Sequence, residues 1–160
     1  MAASVYETWY LNGLNQLEML EPRMTIIGLG VSDLAKSDHF YREIFGWTKT
    51  AASNENISFY QLNGILLSLY PREKLAEDAT VDDIGSGFKA FSLAYNTRSR
   101  EEVDQIISHL SAQGVRIVKH PQEVFWGGYS SYIADPDDNL WEIAFNPFLA
   151  MDADGNVGGS

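Results

Sequence analysis

The spacing of hydrophobic and polar residues predicts the same series of elements twice along the chain. In residues 24–31 the large apolar side chains of Ile27, Leu29 and Val31 fall at every second position, as in a strand with one buried face. An apolar stripe at helical spacing follows in residues 34–45, with Ser32 or Asp33 as its cap and Gly46 at its end. Three further strand-like runs complete the first series, at residues 47–51, 57–62 and 65–70.

The second half repeats this order. A strand-like run at residues 88–95 precedes a helix that begins with the capping box Ser99 and Glu102 and ends at Gly114. The strands that follow are predicted at residues 115–119, 129–134 and 140–145. Tyr95 lies 64 residues after Val31, and this spacing sets the predicted alignment of the two halves. The pattern therefore predicts an α+β fold of eight strands and two main helices, divided into modules at 24–71 and 88–147.

Three segments lie outside the two modules. Residues 72–87 are charged, end in Gly85-Ser86-Gly87 and are predicted to be a linker loop. Residues 148–160 are predicted to be a flexible tail. In residues 1–23, apolar side chains recur at helical spacing until Pro22. This N-terminal stretch is interpreted either as an accessory helix, packed on the domain or on a second subunit, or as an extension that precedes the domain.

Residues 125–145 carry the most specific pattern in the chain. An aromatic-Gly-Gly entry leads to a strand, then to the turn Asp135-Pro136-Asp137-Asp138-Asn139, and then to a strand that contains Trp141-Glu142-Ile143. Proline and the Asp and Asn side chains favour a tight turn between the two strands. This combination resembles the last hairpin of the vicinal oxygen chelate superfamily, which contains glyoxalases, bleomycin-resistance proteins and extradiol dioxygenases.

The resemblance covers residues 24–147 and implies a definite architecture. In that superfamily two βαβββ modules bend mixed sheets into a U-shaped cavity, with the helices outside. Many members bind a divalent metal through ligands on the first and fourth strand of each module. In this chain the corresponding positions are predicted at Ile26 and Ser68 in the first module, and at Ala90 and Glu142 in the second.

Only Glu142 among those four residues is a usual metal ligand. Isoleucine and alanine offer no lone pair, and serine is a poor ligand for a divalent ion. The three histidines, His39, His109 and His120, fall on helices or at a strand exit rather than on inner strand faces. We therefore predict that the chain has no metal centre of the family type and needs no cofactor.

Glu142 has two interpretations that the sequence leaves open. It is either a general base or polar anchor in a cavity, or a structural glutamate held by a hydrogen bond. Because of their register or their aromatic character, nine residues are predicted to line the ligand pocket: Ile26, Gly28, Ser68, Tyr70, Ala90, Ser92, Trp126, Tyr129 and Glu142. Ser68, Ala90 and Glu142 are expected to share one cavity, with Trp141 and Ile143 directed towards the helices.

Composition narrows the class of partner. The formal charge of −11 argues against binding nucleic acid, whose phosphates require a basic surface. The chain has no cysteine, which excludes disulfides and thiolate chemistry. No apolar run has the length of a membrane span, and the first residues lack the features of a secretion signal. A cytoplasmic protein is expected.

Two apparent motifs are rejected. Gly28-Leu29-Gly30 resembles part of a dinucleotide-binding fingerprint, but Asp33 stands at the position of the third glycine. Residues 152–156 (DADGN) imitate the start of a calcium-binding loop, but the chain ends before the glutamate that such a loop needs.

The function predicted from the sequence is binding of a small organic molecule, cationic or aromatic, without a metal, as in the bleomycin-resistance type of sequestering protein. One alternative is a glyoxalase- or dioxygenase-like enzyme that uses Glu142 and a second ligand that the sequence does not reveal. Another is a non-catalytic module for assembly with another chain. The resemblance and the apolar N-terminal stretch also predict a homodimer.

Overall fold

The computed structural model describes residues 22–157 of the chain. The first half contains β1 (Ile26–Val31), α1 (Leu34–His39) continued by a π-helical turn (Phe40–Ile44), β2 (Ser58–Gln61) and β3 (Leu66–Pro71). A short helix, α2 (Arg72–Asp78), precedes the second half. The second half contains β4 (Leu93–Thr97), α3 (Arg100–Ala112), β5 (Arg116–Glu123), β6 (Tyr129–Ala134) and β7 (Leu140–Phe145). No helix in this part of the chain is long and apolar enough to cross a membrane.

The strands form two mixed sheets with related topology. Sheet A has the order β1-β3-β2 and sheet B the order β4-β7-β6-β5. In each sheet the first strand pairs in parallel with the last strand of its module, and the remaining pairs are antiparallel. The predicted α+β fold of two similar modules is therefore confirmed, and sheet B has one strand more than sheet A.

The strand predicted at residues 47–51 does not form, so residues 22–157 contain seven strands rather than eight. Lys49 makes one antiparallel bridge to Tyr60. Immediately afterwards the backbone turns, with the Ser53 amide donating to the Thr50 carbonyl at 3.1 Å. This turn carries the chain away from the sheet before a second bridge can form.

The hydrogen-bonded register corrects the predicted alignment of the two modules. Gly28 pairs with Ser68 in sheet A, and Ala94 pairs with Glu142 in sheet B. Ala94 is thus the counterpart of Gly28. Two residues earlier in each chain segment, Ser92 is the counterpart of Ile26. The prediction of Ala90 at that position was wrong by two residues. Ala90 lies before β4, which begins at Leu93, and its φ of 59° is outside the range of a strand.

The predicted linker loop at residues 72–87 also contains structure, because its first seven residues form α2. Leu75 and Ala76 on this helix are half-buried. The helix crosses β1 at Gly30, where an added Cβ would lie 3.0 Å from the Arg72 Cβ atom. Arginine, glutamate, lysine, leucine and alanine in REKLAED favour a helix, so the sequence contained a signal for α2.

One hydrophobic core joins the two modules. Leu67 and Leu69 of β3 are fully buried. Their counterparts in β7, Trp141 and Ile143, expose only a few per cent of their surface. Trp141 contacts the π-helical turn at Tyr41, and Ile143 belongs to the same cluster. Trp141 and Ile143 therefore face the helix side of sheet B, as predicted from the alternation.

The helix ends follow the local sequence signals. Asp33 caps α1 by accepting from the Lys36 amide at 2.9 Å, and Ser99 caps α3 by accepting from the Glu102 amide at 3.1 Å. Gly46 and Gly114, which follow the two helical segments, have φ of 73° and 78°. Glycine adopts this left-handed conformation without strain, so both helices end where predicted.

The turn at residues 135–139 connects the modules. The buried Asp135 carboxylate accepts from the Asn139 side chain and from the Tyr41 hydroxyl, which is 2.7 Å away. Asp137 accepts from the Ser32 amide at 2.8 Å and from the Ser37 hydroxyl at 3.1 Å. The turn that carries the family resemblance therefore also links the β6–β7 hairpin to the first helical segment through polar contacts.

Residues 152–156 adopt the same kind of turn. In both turns the first Asp side chain accepts from the amides two and four residues later and from the Asn side chain. The fourth residue, Asp138 or Gly155, has a positive φ. The calcium-loop pattern at residues 152–156 is thus explained as a hairpin turn, bridged at Met151 and Val157.

Candidate functional site

Each sheet has a second face, opposite the helices, on which equivalent positions carry different chemistry. On sheet A the neighbouring positions are Gly28, Ser68 and Phe59, which are small, polar and aromatic. On sheet B the same positions hold Ala94, Glu142 and Tyr132. Because side chains of register partners point to the same face, Glu142 and Tyr132 lie side by side. The polar side chains are therefore concentrated on the second face of sheet B.

Tyr132 and Glu142 form the centre of this group. Burial raises the pKa of the Tyr132 phenol above its usual value, and the charge and hydrogen bond of Glu142 raise that pKa further. A hydrogen bond with Ser92 acts in the opposite direction. The phenol thus stays protonated and offers its hydrogen to the carboxylate. Glu142 itself is only half-buried, so one side of it remains open to a ligand.

Lys119 of β5 completes the polar group. It pairs with Tyr132 in the sheet, and its Nζ atom lies 5.2 Å from the centre of the Tyr132 ring. The same ammonium donates to the Ser130 hydroxyl at 2.8 Å. Contact between a cation and an aromatic face stabilises the ammonium in a half-buried position. Lys119, Tyr132 and Glu142 therefore form a row across three adjacent strands.

A bulge in β5 directs two consecutive side chains to this face. Ile117 pairs with Ile133, but the next partner of β6, Tyr132, pairs with Lys119 rather than with Val118. An extra residue in one strand leaves two residues opposite one, which changes the alternation of side chains. Val118 and Lys119 consequently both line the same cavity.

That cavity has a volume of about 300 Å³. Phe88, Val118 and Leu140 form its apolar walls, and Ser92, Lys119 and Tyr132 supply its polar atoms. A cavity of this size, with mostly apolar walls and a few fixed polar groups, is typical of a site for a small organic molecule. A wider cleft of about 660 Å³ adjoins it at Phe88 and extends past Gly28 and Gly30 to α2.

The structure brings together only part of the predicted pocket. Ser92 and Glu142 lie with Tyr132 on the second face of sheet B. Four other predicted residues, Ile26, Gly28, Ser68 and Tyr70, lie on the corresponding face of sheet A. Ser68 and Glu142 thus occupy equivalent places in different sheets.

Three predicted pocket residues lie elsewhere. Tyr129 is on the helix side of sheet B, where its hydroxyl donates to Asp104 of α3 at 2.9 Å, so its assignment to the pocket was wrong. Trp126 lies in the turn between β5 and β6, and its ring covers Gly128 at the place a Cβ would occupy. Ala90 lies before β4, outside the strand.

Lys119, Val118 and Phe88 were missing from the predicted pocket. The pairing of Lys119 with Tyr132 depends on the bulge, which no local sequence signal marks. Phe88 lines the cavity from the irregular segment before β4. That segment has no regular periodicity from which the orientation of a side chain could be predicted. Tyr132, whose ring and hydroxyl make it a pocket candidate from the sequence, occupies the position opposite Glu142 in the hairpin.

The side chains at the metal positions that the resemblance implies do not fit a divalent ion. Glu142 is the single carboxylate at these positions, and Ala94 and Ser92 lie near it in sheet B. The equivalent positions in sheet A hold Ile26 and Ser68. Across residues 22–157, no three His, Asp or Glu side chains converge as a metal-binding group. His39, His109 and His120 are exposed, and His109 contacts Gln113 at 2.6 Å.

Comparisons with known proteins agree with this architecture. The sequence model of the glyoxalase/bleomycin resistance protein/dioxygenase superfamily matches residues 23–143. A crystal structure described as a glyoxalase-related enzyme from Fulvimarina pelagi is 37% identical in sequence, with a TM-score of 0.79 over 88% of this chain and 99% of that chain.

More distant structures share the fold alone. A glyoxalase/bleomycin resistance protein/dioxygenase from Nocardioides is 20% identical, with a TM-score of 0.70 over 97% of this chain and 98% of that chain. A lactoylglutathione lyase from Agrobacterium tumefaciens is also 20% identical, with a TM-score of 0.65 over 83% of this chain and 100% of that chain.

Proposed function

Because the chain belongs to the glyoxalase/bleomycin resistance protein/dioxygenase superfamily, we propose that it binds a small organic molecule on the second face of sheet B, without a metal. The Glu142 carboxylate accepts a hydrogen bond from a cationic or N–H group of the ligand. The apolar walls at Phe88, Val118 and Leu140 contact the ligand's hydrocarbon or aromatic part.

The observation that carries this proposal is the pairing of Glu142 with Tyr132 beside the 300 Å³ cavity. An ionised carboxylate that is partly removed from water requires hydrogen-bond partners. Tyr132 supplies one donor, and the half-buried Glu142 has further lone pairs available for a ligand. This arrangement supports binding, because the carboxylate and its phenol partner already form a fixed polar contact to which a ligand can add.

The test begins with a thermal-shift screen of cationic and aromatic compounds, since compounds that bind the folded state raise its melting temperature. For compounds that bind, Glu142→Gln is expected to weaken affinity by roughly tenfold to a hundredfold, which corresponds to a lost charged hydrogen bond. The control Glu55→Gln, in an exposed loop, should leave affinity unchanged. If Glu142→Gln alters the melting temperature but not the affinity, the carboxylate is structural and the proposal is wrong.

The alternative function is a metal-dependent, glyoxalase-like enzyme. It is favoured by the 37% identity to the Fulvimarina pelagi protein, which is described as a glyoxalase-related enzyme. The two functions differ in metal content. The positions equivalent to metal ligands hold Ile26 and Ser68 in sheet A, and Ser92 accompanies Glu142 in sheet B. Protein purified without chelator is therefore expected to contain less than stoichiometric nickel, zinc or iron by elemental analysis. One full equivalent of any of these ions would favour the enzyme.

A further inference from the structure

Charges of both signs flank the cavity beside sheet B, because Lys119 lines it and Glu142 is the strand partner of Tyr132, which also lines it. Among residues 22–157, Lys119 has no carboxylate within ion-pair distance, although its side chain is half-buried. Other cations that are not fully exposed have such partners, for example Lys49 with Asp38 at 2.6 Å and Arg72 with Asp83. Lys119 uses one N–H for Ser130 and rests over the Tyr132 ring. An ammonium has three donors, so the others are free to bind an acceptor that enters the cavity.

The register gives the separation between this cation and Glu142. Lys119 is the partner of Tyr132, and Tyr132 is the partner of Glu142, so the two charged residues are two strands apart. Opposed residues in antiparallel strands have Cα atoms about 5 Å apart, which places these two Cα atoms at about 10 Å. The cavity wall between them is the Tyr132 ring, with Phe88, Val118 and Leu140 around it.

A ligand with a single charge would match only one end of this row. A simple anion would bind Lys119 but approach Glu142 with the same sign of charge, and a simple cation would meet the opposite problem. A neutral apolar ligand would displace water from both charged groups without offering either of them a new hydrogen bond. The chain's formal charge of −11 also repels free anions at long range, so an acid needs a second, positive group.

From this arrangement, which rests on the function proposed above, we infer that the ligand is a zwitterion with an apolar body. Its carboxylate binds the Lys119 ammonium, its amino group binds the Glu142 carboxylate, and its apolar body lies on the Tyr132 ring. The two charged groups lie at opposite ends of one aromatic ring, because Lys119 and Glu142 stand on either side of Tyr132 with Cα atoms about 10 Å apart.

Three related compounds test the inference. para-Aminomethylbenzoate carries both charged groups on one ring, para-methylbenzoate lacks the amine, and para-methylbenzylamine lacks the acid. Calorimetric titration of the full chain should show that the zwitterion binds at least about tenfold more tightly than either singly charged compound, since each lost charged hydrogen bond costs about that factor or more.

Variants assign each end of the ligand to a residue. Lys119→Gln should reduce the affinity for the zwitterion to that of the amine, and Glu142→Gln should reduce it to that of the acid. Lys119→Arg keeps the positive charge and should retain the affinity that the ligand's carboxylate contributes. Comparison with Lys119→Gln therefore distinguishes loss of charge from damage to the fold. The control Lys74→Gln removes the same charge from the exposed side of α2 and should leave all three affinities unchanged.

The results also separate this inference from the proposed function. If the amine binds in a manner that depends on Glu142, but the zwitterion binds no more tightly, the inference is wrong and the proposed function stands. An unchanged ratio of affinities in Lys119→Gln would likewise overturn the inference. If none of the three compounds binds, the zwitterion inference is wrong, and the separate screen against Glu142→Gln then decides the proposed function.

Discussion

Tyr41 shows how one side chain joins the two halves of the molecule. Its side chain is fully buried, and its hydroxyl donates to Asp135 at 2.7 Å and accepts from the Trp141 indole at 3.2 Å. Burial raises the pKa of the phenol well above its usual value, and the nearby Asp135 charge raises it further. The π-helical turn brings this residue to the contact, as such turns often do at specialised positions.

Removal of the Tyr41 hydroxyl should therefore destabilise the fold. Tyr41→Phe keeps the ring but leaves the Asp135 carboxylate and the Trp141 N–H each without one partner, which is expected to lower the free energy of unfolding by about 1–3 kcal/mol. Urea denaturation followed by fluorescence measures this change. Tyr95→Phe is the matched control, because Tyr95 is 45% exposed and water replaces the hydroxyl's contacts. Equal stability of the two variants would show that the buried hydrogen bonds contribute nothing net.

At the scale of elements, two turns share the sequence pattern D-x-D-x-N but differ in their tertiary contacts. Both have the same hydrogen bonds from the first Asp to the amides two and four residues later. Asp135 is buried and also accepts from Tyr41, whereas Asp152 lies in an exposed turn. The same local geometry therefore occurs in two different environments.

Substitution of the first Asp should affect the two turns unequally. Asp135→Ala leaves the Tyr41 hydroxyl and the Asn139 side chain without an acceptor inside the protein, so a loss of about 3 kcal/mol or more is expected. Asp152→Ala should leave the free energy of unfolding nearly unchanged, because water replaces the carboxylate at the surface. Chemical denaturation of both variants measures the difference. A large effect of Asp152→Ala would mean that the turn at residues 152–156 is required for the fold.

The whole molecule should lose stability in alkali. Burial raises the pKa of Tyr41, Tyr60 and Tyr132, and the neighbouring carboxylates Asp135, Asp38 and Glu142 raise these values further. A tyrosine in the unfolded chain releases its proton near pH 10, while the folded protein retains it. Above that pH the unfolded state binds fewer protons, so the free energy of unfolding falls as the pH rises.

Urea midpoints measured from about pH 8.5 to 11 test this expectation. The midpoint should be steady below about pH 9.5 and fall above it. Tyr60→Phe should make the fall less steep, since one tyrosine with a raised pKa is removed, whereas Tyr95→Phe should not have this effect. A wild-type midpoint that stays constant to pH 11 would contradict the assignment of protonated, buried phenols.

The homodimer remains a prediction at this scale. The N-terminal residues that motivated it lie mostly outside the described range. Within that range, Val81 and Ile84 are 62% and 83% exposed on the segment between the modules. These side chains agree with a covered surface in an assembly, and sedimentation would decide the number of subunits.

Features that depend on a few neighbouring residues could be predicted from the amino-acid sequence alone. Ser32 or Asp33 was predicted to begin the first helix and Ser99 the second. Gly46 and Gly114 predicted the helix ends, and residues 135–139 predicted the turn of the final hairpin. Each signal works through hydrogen bonds or φ angles within about five residues, so no distant contact is needed to interpret it. The order of these local signals was sufficient to predict two modules and the family.

Features that depend on the register between distant strands could be assigned only from the folded chain. The pairing of Ala94 with Glu142 made Ser92 rather than Ala90 the counterpart of Ile26, and the bulge in β5 brought Lys119 beside Tyr132. A shift of one residue reverses the face of a strand, and the energy that selects the register comes from packing between elements far apart in sequence. The candidate site was therefore predictable at Glu142 and Ser92, but its cation and its apolar walls were not.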